Sequence, residues 1–280
     1  MEDIVLYTPA QYTMMFADSG EEKARRPTWQ VLALAYLAGF FIAMGAVAGN
    51  TAAHMIDNEG IARLVMGLLF PFGLIMVVLT GAELFTGDTL MAITVKEKRI
   101  TLVRMVYHWM LVFAGNAAGA ISVAIGMAFF GQLDYSGGVL GTFSINQAVT
   151  KSTMDPTNAF VMGIFCNVLV TIGVLLAMSA KDVTGRAIGA FVPVSFFVIA
   201  GFEHSIANLY YVPAGLFAGG IDRYTDLAIQ FGIETDAATW SGFLTNNLLP
   251  VTLGNTVGGL AVGWLFFWCH LHYSRQNATS

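Results

Sequence analysis

The sequence predicts an all-helical membrane protein with six transmembrane helices, the second and fifth interrupted. Three observations carry that prediction. Of 280 residues, 56% are hydrophobic and 11% charged, against roughly a quarter charged in soluble domains. The apolar residues gather into runs near the ~20 residues that cross a bilayer, at about Trp29–Ala53, Ile61–Thr80, Met105–Phe130, Ala159–Ala180, Ala187–Ala200 and Leu248–His270. Two polar stretches, Gly81-Ala-Glu-Leu-Phe-Thr-Gly-Asp88 and Gly201-Phe-Glu-His-Ser-Ile-Ala-Asn208, cut into apolar sequence that resumes as Thr89–Val95 and Leu209–Ala218.

Each resumed piece is too short to span alone, so a helix that enters, breaks and continues is expected at both places. Irregular backbone at membrane depth survives only where protein or a water-filled cavity surrounds it. The two gaps are therefore candidate pore walls. The amino-terminal segment 1–28 is mostly polar, so no cleavable leader is expected there, and Gln11–Arg26 is expected as a surface helix. Lys23, Arg25, Arg26, Lys96, Lys98, Arg99, Lys181, Arg186 and Arg275 fall on one set of connections, leaving mainly Arg63, Lys151 and Arg223 for the other. By the positive-inside bias both termini are cytoplasmic, with a channel domain at 29–272 and a tail at 273–280. Gln132–Asn158 and Gly219–Asn247 are then long outer connections, the second holding a short interfacial helix over Ala237–Asn247 anchored by Trp240.

An internal repeat follows. The gaps share Gly-x-Glu, and one span later each half carries Gly-Asn-x-x-Gly: Gly115-Asn116-Ala-Ala-Gly119 and Gly254-Asn255-Thr-Val-Gly258. Small residues four apart let helix backbones meet, and Asn bonds across the contact. Three spans per half, with halves starting on opposite sides, make an inverted repeat; in such folds paired broken helices mark a site near the midplane.

The net charge of −5 argues against nucleic acid, which requires a basic footprint. Cys166 and Cys269 show no metal or redox spacing and read as small buried side chains. Glu83, Glu203 and one His lack the spacing of a metal site, and no cofactor is expected. The two glutamates are expected to accept hydrogen bonds from backbone amides freed at the breaks. Asp88 is left to cap the helix beginning at Thr89.

These motifs, completed by Pro250-Val-Thr-Leu-Gly-Asn255, resemble the formate/nitrite transporter family over nearly the whole chain. The resemblance implies an aquaporin-like protomer, a homopentamer with a pore in each protomer, and formate or a similar small anion, or its conjugate acid, as cargo in the inner membrane. Nitrite, hydrosulfide, acetate and lactate are the alternatives within the family. It makes His204 the central pore histidine, able to bond or protonate the anion, with Asn208 as its hydrogen-bond partner. It places Thr86 in a mobile loop and Lys151 at a buried cation site that draws anions in. It makes Asn167, Asn208 and Asn255 an amide network and Leu74, Leu84, Phe85 and Phe197 apolar constrictions. Without it, the apolar four read as packing, Thr86 as a helix cap, Lys151 as a solvated loop charge and His204 as a satisfied buried imidazole. A membrane enzyme using Glu203 and His204 as acid and base is the alternative of another class.

Overall fold

The computed structural model describes residues 6–273; Arg275 and the tail beyond Tyr273 lie outside the described residues. Among the described residues every named element is helical. An isolated bridge pairs Leu6 with Ala180.

The first helix, α1 (Pro9–Arg25), starts with a reciprocal Thr8–Gln11 capping box and Pro9 in its first turn, and ends with Lys23 and Arg25, which suit the negative end of the helix dipole. It buries Tyr12, Phe16, Ala17, Gly20 and Ala24, a stripe at helical spacing. Tyr12 meets the Phe266 ring, Tyr7 N–H donates to Ser179 O, and Arg104 donates to Ala24 O. So α1 lies across one end of the bundle.

The long helices follow as α2 (Thr28–Ala53) and α3 (Glu59–Thr80), the latter kinked at Pro71, which has no N–H to donate. A short helical run, α4 (85–96), precedes α5 (Leu102–Phe129). Then come α6 (Val139–Ser152), α7 (Pro156–Ser179), α8 (Val183–Ile199), α9 (Ser205–Ala218), α10 (Asp222–Gln230) and α11 (Trp240–His272). Five of these, α2, α3, α5, α7 and α11, are long and apolar enough to cross a membrane; α8 is apolar but has 17 residues. Outward-facing Trp29, Phe72, Val103, Met110, Phe165, Phe196 and Trp264 are all exposed, a girdle that water would not tolerate. The chain is a multi-pass membrane protein.

The most intimate helix pairs are α2 with α5 and α7 with α11. The repeated glycines are why. A Cβ on Gly119 would stand 2.1 Å from Tyr36 O, and one on Gly258 would stand 2.4 Å from Ile164 O.

Three expectations are corrected. Gln132–Asn158 is not simply a connection: it contains α6, whose Leu140, Ile145 and Ala148 line one buried face. Lys151 therefore rides the last turn of a packed helix rather than a solvated loop. Nor is Ala237–Asn247 a separate interfacial helix. Thr239 caps a turn that runs unbroken into α11, and a π-turn at Phe243–Leu248 absorbs the hydrogen bond that Pro250 cannot make. Trp240 packs on Phe217 and Phe243. Finally, Cys166 is buried as expected but Cys269 is exposed on α11.

Candidate functional site

The two breaks are built alike. α3 ends at Thr80, and Gly81 takes φ 71°; α8 ends at Ile199, and Gly201 takes φ 73°. Only glycine reaches that left-handed region without a Cβ clash. The chain then extends through Leu84 (φ −113°, ψ 123°) or His204 (φ −113°, ψ 115°), and a new helix begins at Phe85 or Ser205.

A buried N–H that starts a helix needs an acceptor. The repeated asparagines provide it. Phe85 N–H donates to Asn116 Oδ1 and Ser205 N–H to Asn255 Oδ1, each at 2.9 Å. Asn116 Nδ2 donates to Glu83 O and Ala35 O; Asn255 Nδ2 donates to Glu203 O and Gly163 O. Contrary to the sequence expectation, the glutamate carboxylates do not accept from the freed backbone amides; an uncharged amide both accepts and donates, which a carboxylate cannot. Asn255→Ala is expected to strand one amide and two carbonyls, at about 1–3 kcal/mol for each group left unpaired. Thermal unfolding in detergent reads this; an unchanged Asn255→Ala midpoint would remove the assigned role.

His204 joins the two breaks. Its Nδ1 accepts from Ala207 N–H at 3.1 Å, capping α9, so the ring hydrogen belongs on Nε2. Nε2 lies 3.0 Å from Thr86 Oγ1, and the ring stacks on Phe197. Both residues are buried. Thr86 does not cap a helix with its side chain. Behind it, Asn167 Nδ2 donates to Thr86 O, Thr89 Oγ1 and Asn255 O.

Glu203 belongs to a different set. Lys151 Nζ lies 2.8 Å from both its oxygens, and Asn208 Nδ2 (2.7 Å) and Asn247 Nδ2 (3.1 Å) donate to Oε2. Asn208 also donates to Asn247 Oδ1. So Asn208 partners Glu203, not the His204 ring; one turn into α9 its amide points back along the gap toward the carboxylate. Lys151 is a neutralised cation. Asn247 is a member that sequence reasoning missed, although two adjacent asparagines before an apolar span were a visible signal.

The first break is tied to α1. Lys23 Nζ lies 2.7 Å from Glu83 Oε2 and 2.6 Å from Asp88 Oδ1, and Arg26 donates to Glu83 Oε1 at 2.5 Å. Burial works against the Lys23 ammonium, but the Asp88 and Glu83 carboxylates overcome it and hold its pKa above the ordinary lysine value. Asp88 makes no cap to the turn at Thr89; it is an ion-pair partner, because the new helix turns its side chain toward α1. His108 of α5 completes the cluster, and with Glu83 and Asp88 it offers three metal-type donors. Beside them is a cavity of about 250 Å³ lined by Leu74, Leu84, Phe16, Lys23, Arg26 and Arg186, among others. Phe85 is not part of that lining: it packs edge-on against Trp109 and Phe113.

Two buried helix breaks face each other through one imidazole and one hydroxyl. Comparison with known proteins identifies the family. A formate/nitrite transporter family profile matches residues 10–269. The probable formate transporter of Methanothermobacter thermautotrophicus is 32% identical, covering 94% of this chain and 97% of its own. The formate channel FocA of Haemophilus influenzae is 33% identical, covering 91% of each. Among solved structures, a pentameric formate channel with formate bound superposes with a TM-score of 0.77 at 30% identity, over 86% of this chain and 96% of that one. An FNT family ion channel gives 0.79 at 26% identity, over 92% and 98%. The protein is a channel or transporter, not an enzyme. With buried, asparagine-capped breaks in both halves and a family match over nearly its whole length, the chain belongs to the formate/nitrite transporter family.

Proposed function

We propose that the protein is a formate channel of the cell membrane, working as a homopentamer with one path through each protomer. Its 29–272 domain crosses the bilayer six times as an inverted repeat, with the second and fifth crossings broken near the midplane and both termini cytoplasmic. Formate enters from the α1 side through the cavity beside Leu74 and Leu84, which form the apolar constriction there. It passes between Thr86 and His204, with Phe197 flanking the ring. The contact of His204 Nε2 with Thr86 Oγ1 carries this reading, because it is the place where the two breaks touch.

A small carboxylate between them replaces that contact with two of its own, from the imidazole N–H and the threonine hydroxyl. Where His204 supplies a proton, Nδ1 first takes one up at the expense of the Ala207 cap. Nε2–H is then given to formate, and formic acid leaves uncharged while the ring returns to neutral. The apolar constriction favours that form, since dewetted rings exclude hydrated ions.

Uptake by liposomes containing the purified protein tests the reading, with formate, nitrite, hydrosulfide, acetate and lactate compared. Formate is expected to enter fastest. Formate entry no faster than in protein-free liposomes would end the proposal, and faster nitrite or hydrosulfide entry would transfer the cargo.

A further inference from the structure

The geometry points to a divalent-cation site at Glu83, Asp88 and His108, suited to Zn²⁺, on the α1 side of the first break. The three side chains come from different places: the extended gap, the turn that follows it and the second turn of α5. Their donor atoms lie within 4.8 Å of one another. All three residues are buried, at 0%, 1% and 2% exposure.

The hydrogen bonding leaves these atoms unspent. Asp88 Oδ2 and His108 Nε2 have no hydrogen-bond partner, and Glu83 Oε2 has only the Lys23 ammonium at 2.7 Å. His108 Nε2 lies 3.5 Å from Asp88 Oδ2 and 3.8 Å from Glu83 Oε2. Those gaps are long for hydrogen bonds. A tetrahedral ion with bonds of about 2.0–2.2 Å holds its ligands about 3.3–3.6 Å apart. The two imidazole–carboxylate separations need to close by only a few tenths of an ångström, and the whole set already lies within 4.8 Å. One imidazole with two carboxylates is a Zn²⁺ set that leaves a fourth position for water, whereas Ca²⁺ and Mg²⁺ take oxygen ligands. Trp109 Nε1 donates to Asp88 O at 2.8 Å, fixing the backbone of one ligand as outer partners of metal sites do.

Lys23 is the resident competitor, since its ammonium already neutralises Glu83 and Asp88. Its side chain also lines the adjoining cavity, into which it can swing when an ion takes Glu83 Oε2. Metal and lysine are thus alternatives at one site, and occupation by the ion releases α1 from the first break at this residue.

Titration of the full-length, tag-free protein in detergent with Zn²⁺ alone reads the site. Saturable uptake of one ion per protomer is expected, weakened at least tenfold by His108→Gln and by Asp88→Asn and strengthened by Lys23→Met. Mg²⁺ and Ca²⁺ are expected not to compete. Co²⁺ bound to the unmutated protein is expected to give the strong visible bands of four-coordination, bleached by Zn²⁺, which keeps the test independent of whether the variants fold. No saturable uptake, uptake that follows His270 or His272 instead of His108, or only weak six-coordinate Co²⁺ bands would overturn the site.

Discussion

Lys151→Ala is expected to lower the stability of the folded protein by about 3–5 kcal/mol, the usual cost of breaking a buried ion pair from one side. The Lys151 and Glu203 side chains are 16% and 5% exposed, and the ammonium bonds both carboxylate oxygens. Without it, Glu203 keeps only the amides of Asn208 and Asn247, which cannot offset a buried full charge. Lys151→Met combined with Glu203→Gln removes both charges and is expected to recover most of the loss. Chemical unfolding in detergent measures the cycle; a Lys151→Ala cost below about 1 kcal/mol, the range of exposed pairs, would show that water reaches the pair. A bare cation at this position would draw anions mainly at neutral pH. A neutralised one implies that flux in Lys151→Ala falls alike at low and neutral pH, through loss of folded protein.

His204→Asn is expected to flatten the pH dependence of formate flux. An asparagine amide keeps a hydrogen-bond donor near Thr86 but carries no exchangeable charge. Above the pKa of an imidazole, each pH unit removes up to about tenfold of its charged form. Between about pH 5 and 8, the ratio of fluxes in the unmutated protein is therefore expected to exceed that of His204→Asn by roughly tenfold. Liposome uptake with a fixed formate gradient measures both. Identical profiles would take the ring out of the proton path while leaving it as a positioning group.

What the sequence made legible was periodic or repeated. Apolar runs located the long helices, and Gly-x-Glu located both breaks, because a left-handed glycine is a local demand. The Gly-Asn-x-x-Gly pair was read as helix contact, which Gly119 and Gly258 make; the capping of Phe85 and Ser205 by the same asparagines was not read, since it depends on which helix lies alongside. Charge partners were the least legible. Lys23 and Asp88 are distant in sequence, and no local pattern connects a polar surface helix to an acid in an apolar run. His108 was missed because a single imidazole in a long apolar helix gives no spacing to read. Phe85 shows the opposite failure: Leu84 and Gly87 on either side line the cavity, but the first turn of α4 rotates Phe85 into an aromatic cluster.

The matched glutamates of the two breaks are held in unlike ways. Glu203 is gripped by Lys151, Asn208 and Asn247, all within the packed bundle, whereas Glu83 is gripped by Lys23 and Arg26 on a helix that only overlies it. One hinge is thus welded into its frame, and the other lies under a strap, α1. Mechanical slack in this molecule should accumulate on a single side, so that lifting the strap loosens the first hinge while the imidazole keeps its register in the second.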